Sequence, residues 1–316
     1  MTTLTGRVIK ARRRLGDRVF SGLSLTAGAI ILIALVLVAA FLIEQSIPGF
    51  AVTDKKTLAT TLAANGIWAY ALPLAFGTVW AAALALLMAF PISVGIALFI
   101  SHFAPRALAQ VLGYIIDLLA AIPSVVFGLW GIFVLAPAVL PIYNWLAQNL
   151  GAIPLFTGPV SATGRTILTA AIVLAVMIVP LMTAMCREVF LQTPRLHEEA
   201  ALALGATRWE MIRIAVFPFG RSGMVSAAML GLGRALGETM AVALVLSPAS
   251  VISFALLTSN NPSTIAANIA LNFANSTGLS VNQLIATGLI LFVITLVVNS
   301  AARFIVNRRK AFSGAN

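Results

Sequence analysis

The chain has 316 residues, 60% of them hydrophobic and only 9% charged, with a mean hydropathy of +1.03. A soluble domain carries about 25% charged residues, so this composition excludes one and requires an integral membrane protein with room for about six spans of ~20 residues. The net charge of +11 could suggest nucleic-acid binding, but the basic residues fall between apolar runs rather than on one soluble face, which excludes that class.

Six basic residues (Arg7, Lys10, Arg12, Arg13, Arg14 and Arg18) precede a first uncharged run at 19–43. A cleaved signal peptide shares that order, but the run is too long for the usual apolar core, and a retained first helix is expected. A polar connection at 44–70, with Lys55 and Lys56, leads to a second span within 74–100 that carries Pro91. A short turn at 101–106 precedes a third span at about 118–140, and 141–164, rich in Pro and Gly, reads as an irregular surface segment. The fourth span is 166–186, followed by a polar connection at 187–221 and a fifth span at 222–247. In the weakly polar stretch 248–280, Asn260-Asn261-Pro262-Ser263 breaks the pattern, and Ser263 can cap a short helix TIAANIALNF. The sixth span, 284–305, precedes Arg308, Arg309 and Lys310. The reading is therefore all-α, with a basic segment at 1–23, a membrane domain at 24–307 and a tail at 308–316.

Connections on the side of the N-terminus hold sixteen Lys and Arg, whereas the other side holds Lys55, Lys56 and the boundary residue Arg165. The positive-inside rule then predicts both termini and 187–221 in the cytoplasm. The single cysteine, Cys186, permits no intrachain disulfide. His102 and His197 lie apart in different connections, so no metal site is expected.

The stretch 198–218, EEAALALGATRWEMIRIAVFP, is a polar helix–turn–helix between two spans. Residues 198–204 are strong helix formers, and Gly205 suits a helix stop with positive φ. Thr207 with Glu210 three residues on fits a capping box. The second helix presents Trp209, Ile212 and Val216 at helical spacing, and Pro218 marks where it meets the next span. An amphipathic helix lying in the headgroup layer is the plainer reading of these residues. In the fifth span, GLGRALGETMAV places Arg234 and Glu238 in otherwise apolar sequence, where a mid-bilayer charge costs about 2.5–3.5 kcal/mol. At i, i+4 the two can meet on one helix face, on a stripe of Ala227, Gly231, Arg234, Glu238 and Ala241 with Gly233 and Gly237 close by for tight helix contact. Either the pair neutralises itself and locks helices together, or Arg234 offers a guanidinium to a passing anion while Glu238 holds its geometry.

The Glu-Ala-Ala…Gly…Pro spacing of Glu199, Ala200, Ala201, Gly205 and Pro218 resembles the EAA loop of ABC importer permeases, which docks on an ATP-hydrolysing subunit. The family pattern has Ile and Leu where this chain has Ala215 and Phe217. GLGRALGETMAV together with AIPSVVFGLWG (Ala121–Gly131) is similar to PstC-type permeases of the phosphate ABC importer. That resemblance implies a six-span ABC importer permease (MetI-like) fold and a role for Arg234 and Glu238 in phosphate passage. It further implies a PstA-like sister permease, two copies of a PstB-like ATPase and an external PstS-like phosphate-binding protein. The binding protein would meet 141–164 and 263–273. The sequence has no phosphate loop and no Gly-Lys pair, so this chain carries no cofactor of its own and ATP-Mg is expected on the partner ATPase. The alternatives are the PstA-like sister itself, a permease for another oxyanion such as sulfate, and an ion-coupled secondary anion transporter.

Overall fold

The structure, a computed structural model, describes residues 15–52 and 54–310; the basic residues of 1–14 and the end of the tail at 311–316 lie outside the described residues. Among the described residues, six helices are long and apolar enough to cross a membrane. The first, α1 (Leu15–Ala51), runs a full two turns beyond the uncharged stretch, because Glu44 and Gln45 do not break a helix. Next come α2 (Ile67–Leu98), which ends in a wide turn at Phe99–Phe103, and α3 (Arg106–Ala120). A single span at 118–140 is not what forms. The chain breaks at Ala121–Pro123, because Pro123 disfavours a helical residue before it, and α4 runs over Ser124–Leu150. The first part of the expected irregular segment, 141–150, is therefore helix, and Pro141 is accommodated within it.

Helix α5 (Ile167–Leu191) starts on a Thr166 cap that accepts from the Thr169 N–H. After it come α6 (Arg195–Ala203), α7 (Arg208–Leu236), α8 (Met240–Val245), α9 (Ile265–Asn272) and α10 (Leu279–Lys310). A two-residue parallel bridge joins β1 (Pro248–Ala249) to β2 (Asn261–Pro262). Thr264, not Ser263, caps α9, its hydroxyl accepting from the Ala267 N–H at 3.3 Å.

The core forms where α2 lies along α5. Ala81, Ala82, Ala85 and Ala89 present a smooth buried stripe to Leu174, Met177 and Ile178, so the two backbones approach closely. The Ser93 hydroxyl donates across this seam to the Val179 carbonyl at 3.2 Å. Helix α1 packs on α10 near one end, where a side chain at Gly49 would lie 2.8 Å from the Asn282 carbonyl and Asn282 donates to the Gln45 carbonyl at 2.7 Å. Most of α1 is otherwise exposed and apolar, a surface that only lipid or a membrane partner can cover. Helix α9 is pinned to α2 by Ile265 N–H donating to Thr78 at 2.9 Å and Asn268 donating to the Tyr70 hydroxyl at 2.7 Å.

The two motifs 121–131 and 231–242 meet in space. A Cβ at Gly128 would sit 2.9 Å from Ala241 Cα, and one at Gly131 would sit 2.7 Å from both Val173 and Val245. Glycines thus let α4 lie against α8, the two helices that follow the breaks at Ala121–Pro123 and Gly237–Thr239.

Candidate functional site

The polar helix–turn–helix is built from local capping chemistry. Gly205 has φ +85°, and the N–H groups of Ala206 and Gly205 bond the carbonyls of Ala201 and Leu202 at 3.2 and 3.0 Å. This double closure is a Schellman stop, which needs a residue free to adopt the left-handed conformation. Two residues later Thr207 N–H donates to Glu210 Oε2 at 2.8 Å, and Glu210 N–H donates to Thr207 Oγ1 at 3.3 Å. The expected capping box is present.

Ala201, Met211, Ile212 and Val216 join Ala97, Leu98, Cys186, Phe190 and Ala227 in one buried cluster, which ties α6 and the start of α7 to α2 and α5. Trp209 departs from the expected face: it is 57% exposed and packs edge-on to Phe217, with centroids 6.1 Å apart, while Met211 takes the inward place. Of the sequence-predicted docking residues, Glu199, Ala200, Gly205 and Pro218 are exposed and Ala201 faces the cluster. Leu196, Leu204 and Ile214 add an exposed apolar rim, with Leu204 90% exposed. Pro218 does not end the helix. A wide turn at Ile212–Val216, in which Phe217 N–H reaches the Ile212 carbonyl, absorbs the missing proline N–H and α7 continues unbroken to Leu236. Glu198 also contacts His102 at 3.4 Å, linking α6 to the turn after α2. Among the described residues no His, Cys, Asp and Glu cluster could hold a metal.

Arg234 and Glu238 do not share a helix face, because the helix ends between them. Helix α7 stops at Leu236, and Gly237–Thr239 separates it from α8. Glu238 is 8% exposed, and its Oε1 accepts the Ala241 N–H at 3.1 Å. The carboxylate therefore satisfies one of the orphan donors of the new helix, a use that the i, i+4 spacing could not reveal. No ion pair joins it to Arg234. The close helix contact on this stripe is made by Gly231 and Ala227; a Cβ at Gly231 would meet Met182 Sδ at 2.6 Å, whereas Gly233 faces open space.

Arg234 is half-buried on the wall of a cleft of about 730 Å³ between α5, α7 and α10. Ser226, Gly233 and Arg234 line it from α7, and Asn299 and Arg303 from α10. Two guanidinium groups and no carboxylate among its lining residues make the cleft suited to an oxyanion. Ser226, Asn299 and Arg303 were not singled out from sequence, although a polar Asn299–Arg303 pair at i, i+4 in an apolar span was the available signal.

Residues 90–311 match the family described as binding-protein-dependent transport system inner membrane component. The chain is 46% identical over 303 residues to the phosphate transport system permease protein PstC 2 of Mycobacterium tuberculosis, covering 92% of each. It is 49% identical over 228 residues to PstC of Mycobacterium leprae, covering 71% of each, and 42% identical over 243 residues to PstC of Xylella fastidiosa, covering 75% of this chain and 74% of that one. Its fold is similar to a crystal structure of a bacterial ABC transporter involved in the import of the acidic polysaccharide alginate. That match has a TM-score of 0.58 at 17% identity and covers 92% of this chain and 99% of that one. With its six apolar helices and a family match over most of its length, the chain belongs to the inner-membrane components of binding-protein-dependent transport systems.

Proposed function

We propose that this chain is the PstC-type permease subunit of an ATP-driven importer of inorganic phosphate, forming half of the path and leaving ATP chemistry to a partner. The observation that carries the reading is Arg234, unpaired with Glu238 and set on the wall of a cleft whose other charged lining group is Arg303. A guanidinium fork binds a tetrahedral oxyanion through parallel hydrogen bonds, and the absence of a paired carboxylate leaves that fork available. The relatives named as phosphate permeases favour phosphate over sulfate, a choice that one or two arginines cannot make by themselves.

In this reading a PstA-like sister permease closes the open side of the cleft. Of two PstB-like ATPases with ATP-Mg, one docks on the exposed face of α6 and its stop, against Glu199, Ala200, Leu204 and Gly205. The termini and α6 are cytoplasmic in this reading, which the Lys and Arg distribution supports. A PstS-like binding protein meets the opposite end at 151–164 and the exposed end of α9 around Leu271 and Phe273. The first half of 263–273 is buried against α2 and supports this surface from beneath.

The test is ATP-dependent phosphate uptake in membrane vesicles from cells carrying the chain and its neighbouring subunits. Arg234→Gln should abolish uptake while the complex still purifies intact. Loss of assembly in that variant would return the residue to a structural role, and uptake that persists without the ATPase would sink the importer reading.

A further inference from the structure

A second basic pocket, of about 510 Å³, lies away from the Arg234 cleft, between α3, the end of α5 and the start of α6. Arg106, Arg187 and Arg195 line it against a single carboxylate, Asp117. None of the three arginines has an ion-pair partner among the described residues. Arg187 is the central group. Its Nε is buried with no hydrogen-bond partner, a condition native structures rarely leave unexplained. Its guanidinium lies so close over Gly113 that a Cβ there would collide with Nη1, so the glycine provides the seat for the charge. Further donors converge on the same space. The Tyr114 hydroxyl accepts from Gln110 at 3.3 Å, which leaves its own hydrogen to donate into the pocket that both residues line.

We propose that this pocket binds a phosphate group, held by Arg187 over Gly113 with Arg106 and Arg195 at its rim. Three guanidiniums against one carboxylate leave an uncompensated positive charge, and several planar forks around one space can share the oxygens of a multiply charged tetrahedral phosphate. The phosphate has two possible sources. On its outer face α3 exposes Leu108, Val111, Ile115 and Leu118, so the pocket sits where an apolar surface meets the basic end of the bundle, as a lipid headgroup requires. Free inorganic phosphate presents the same chemistry to the same arginines.

The inference does not depend on the Arg234 reading, and the experiment keeps them apart by using an Arg234→Gln background. The permease complex, purified through a tag on this chain, is equilibrated in detergent with radiolabelled inorganic phosphate. In parallel it is placed in nanodiscs of phosphatidylcholine containing phosphatidylglycerol, and retained lipid is read by native mass spectrometry. One probe should bind, and Arg187→Gln should weaken it at least about tenfold, with Arg187→Lys intermediate. Saturable phosphate binding assigns the free anion; retention of phosphatidylglycerol alone assigns the headgroup. Should Arg187→Gln fail to assemble, Arg106→Gln, on the exposed rim, provides the same reading with a smaller loss. If neither probe binds, or if both bind unchanged to every assembled variant, the proposal is overturned.

Discussion

At Glu238 a buried carboxylate oxygen accepts the Ala241 N–H at the break between α7 and α8. Glutamine retains an acceptor there and alanine does not, while an unsatisfied buried N–H costs about 1–3 kcal/mol. Glu238→Ala should therefore lower the thermal midpoint of the purified complex and Glu238→Gln should not; equal losses in the two variants would show that capping is not the role of this residue. Arg303 lines the same cleft as Arg234 but is exposed, so its attraction for an anion is screened. Arg303→Gln should raise the half-saturating phosphate concentration about two- to fivefold, with an effect that shrinks as salt is added. An unchanged half-saturation at low salt would remove Arg303 from the path.

Helix α6 and the start of α7 were legible in the sequence because their termini are set by local chemistry. Gly205 needs positive φ, Thr207 and Glu210 satisfy each other's neighbours, and these relations hold within a few residues of chain. A β-branched residue at 205 would pay about 1–2 kcal/mol for the left-handed conformation, although a Cβ there meets nothing within 4 Å. Gly205→Val should thus leave the membrane bundle folded but reduce ATPase recovered with it on purification; full recovery would remove the Gly205 stop from docking. The break in the fifth span was not legible, because hydropathy runs on through Gly237, Glu238 and Thr239 and an i, i+4 relation presupposes the helix it is meant to test. The cleft was only half legible. Arg234 stands out as a charge in an apolar run, whereas Arg303 gains meaning only when α10 is laid against α7.

Across the whole molecule, the arrangement of spans has a direct test of its orientation. Cys186 is 0% exposed, so Cys186→Ala provides a background without reactive thiols. In that background, Ala270→Cys should react with an impermeant maleimide in intact cells, and Leu204→Cys only after the membrane is opened; the reverse pattern would invert the topology. The break at Gly237–Thr239 also gives α7 a pivot at one end, while its other end is tied through the buried cluster to α2 and α5. Its 29 residues measure roughly 43 Å at 1.5 Å per residue. A tilt of about 5° around the break carries the far end, near Arg208, through roughly 4 Å, but shifts Arg234, within one turn of the pivot, by less than about 0.5 Å. The guanidinium thus sits close to a still point, so that in the proposed function a displacement of the Arg208 end would alter the mouth of the cleft more than the position of its charge.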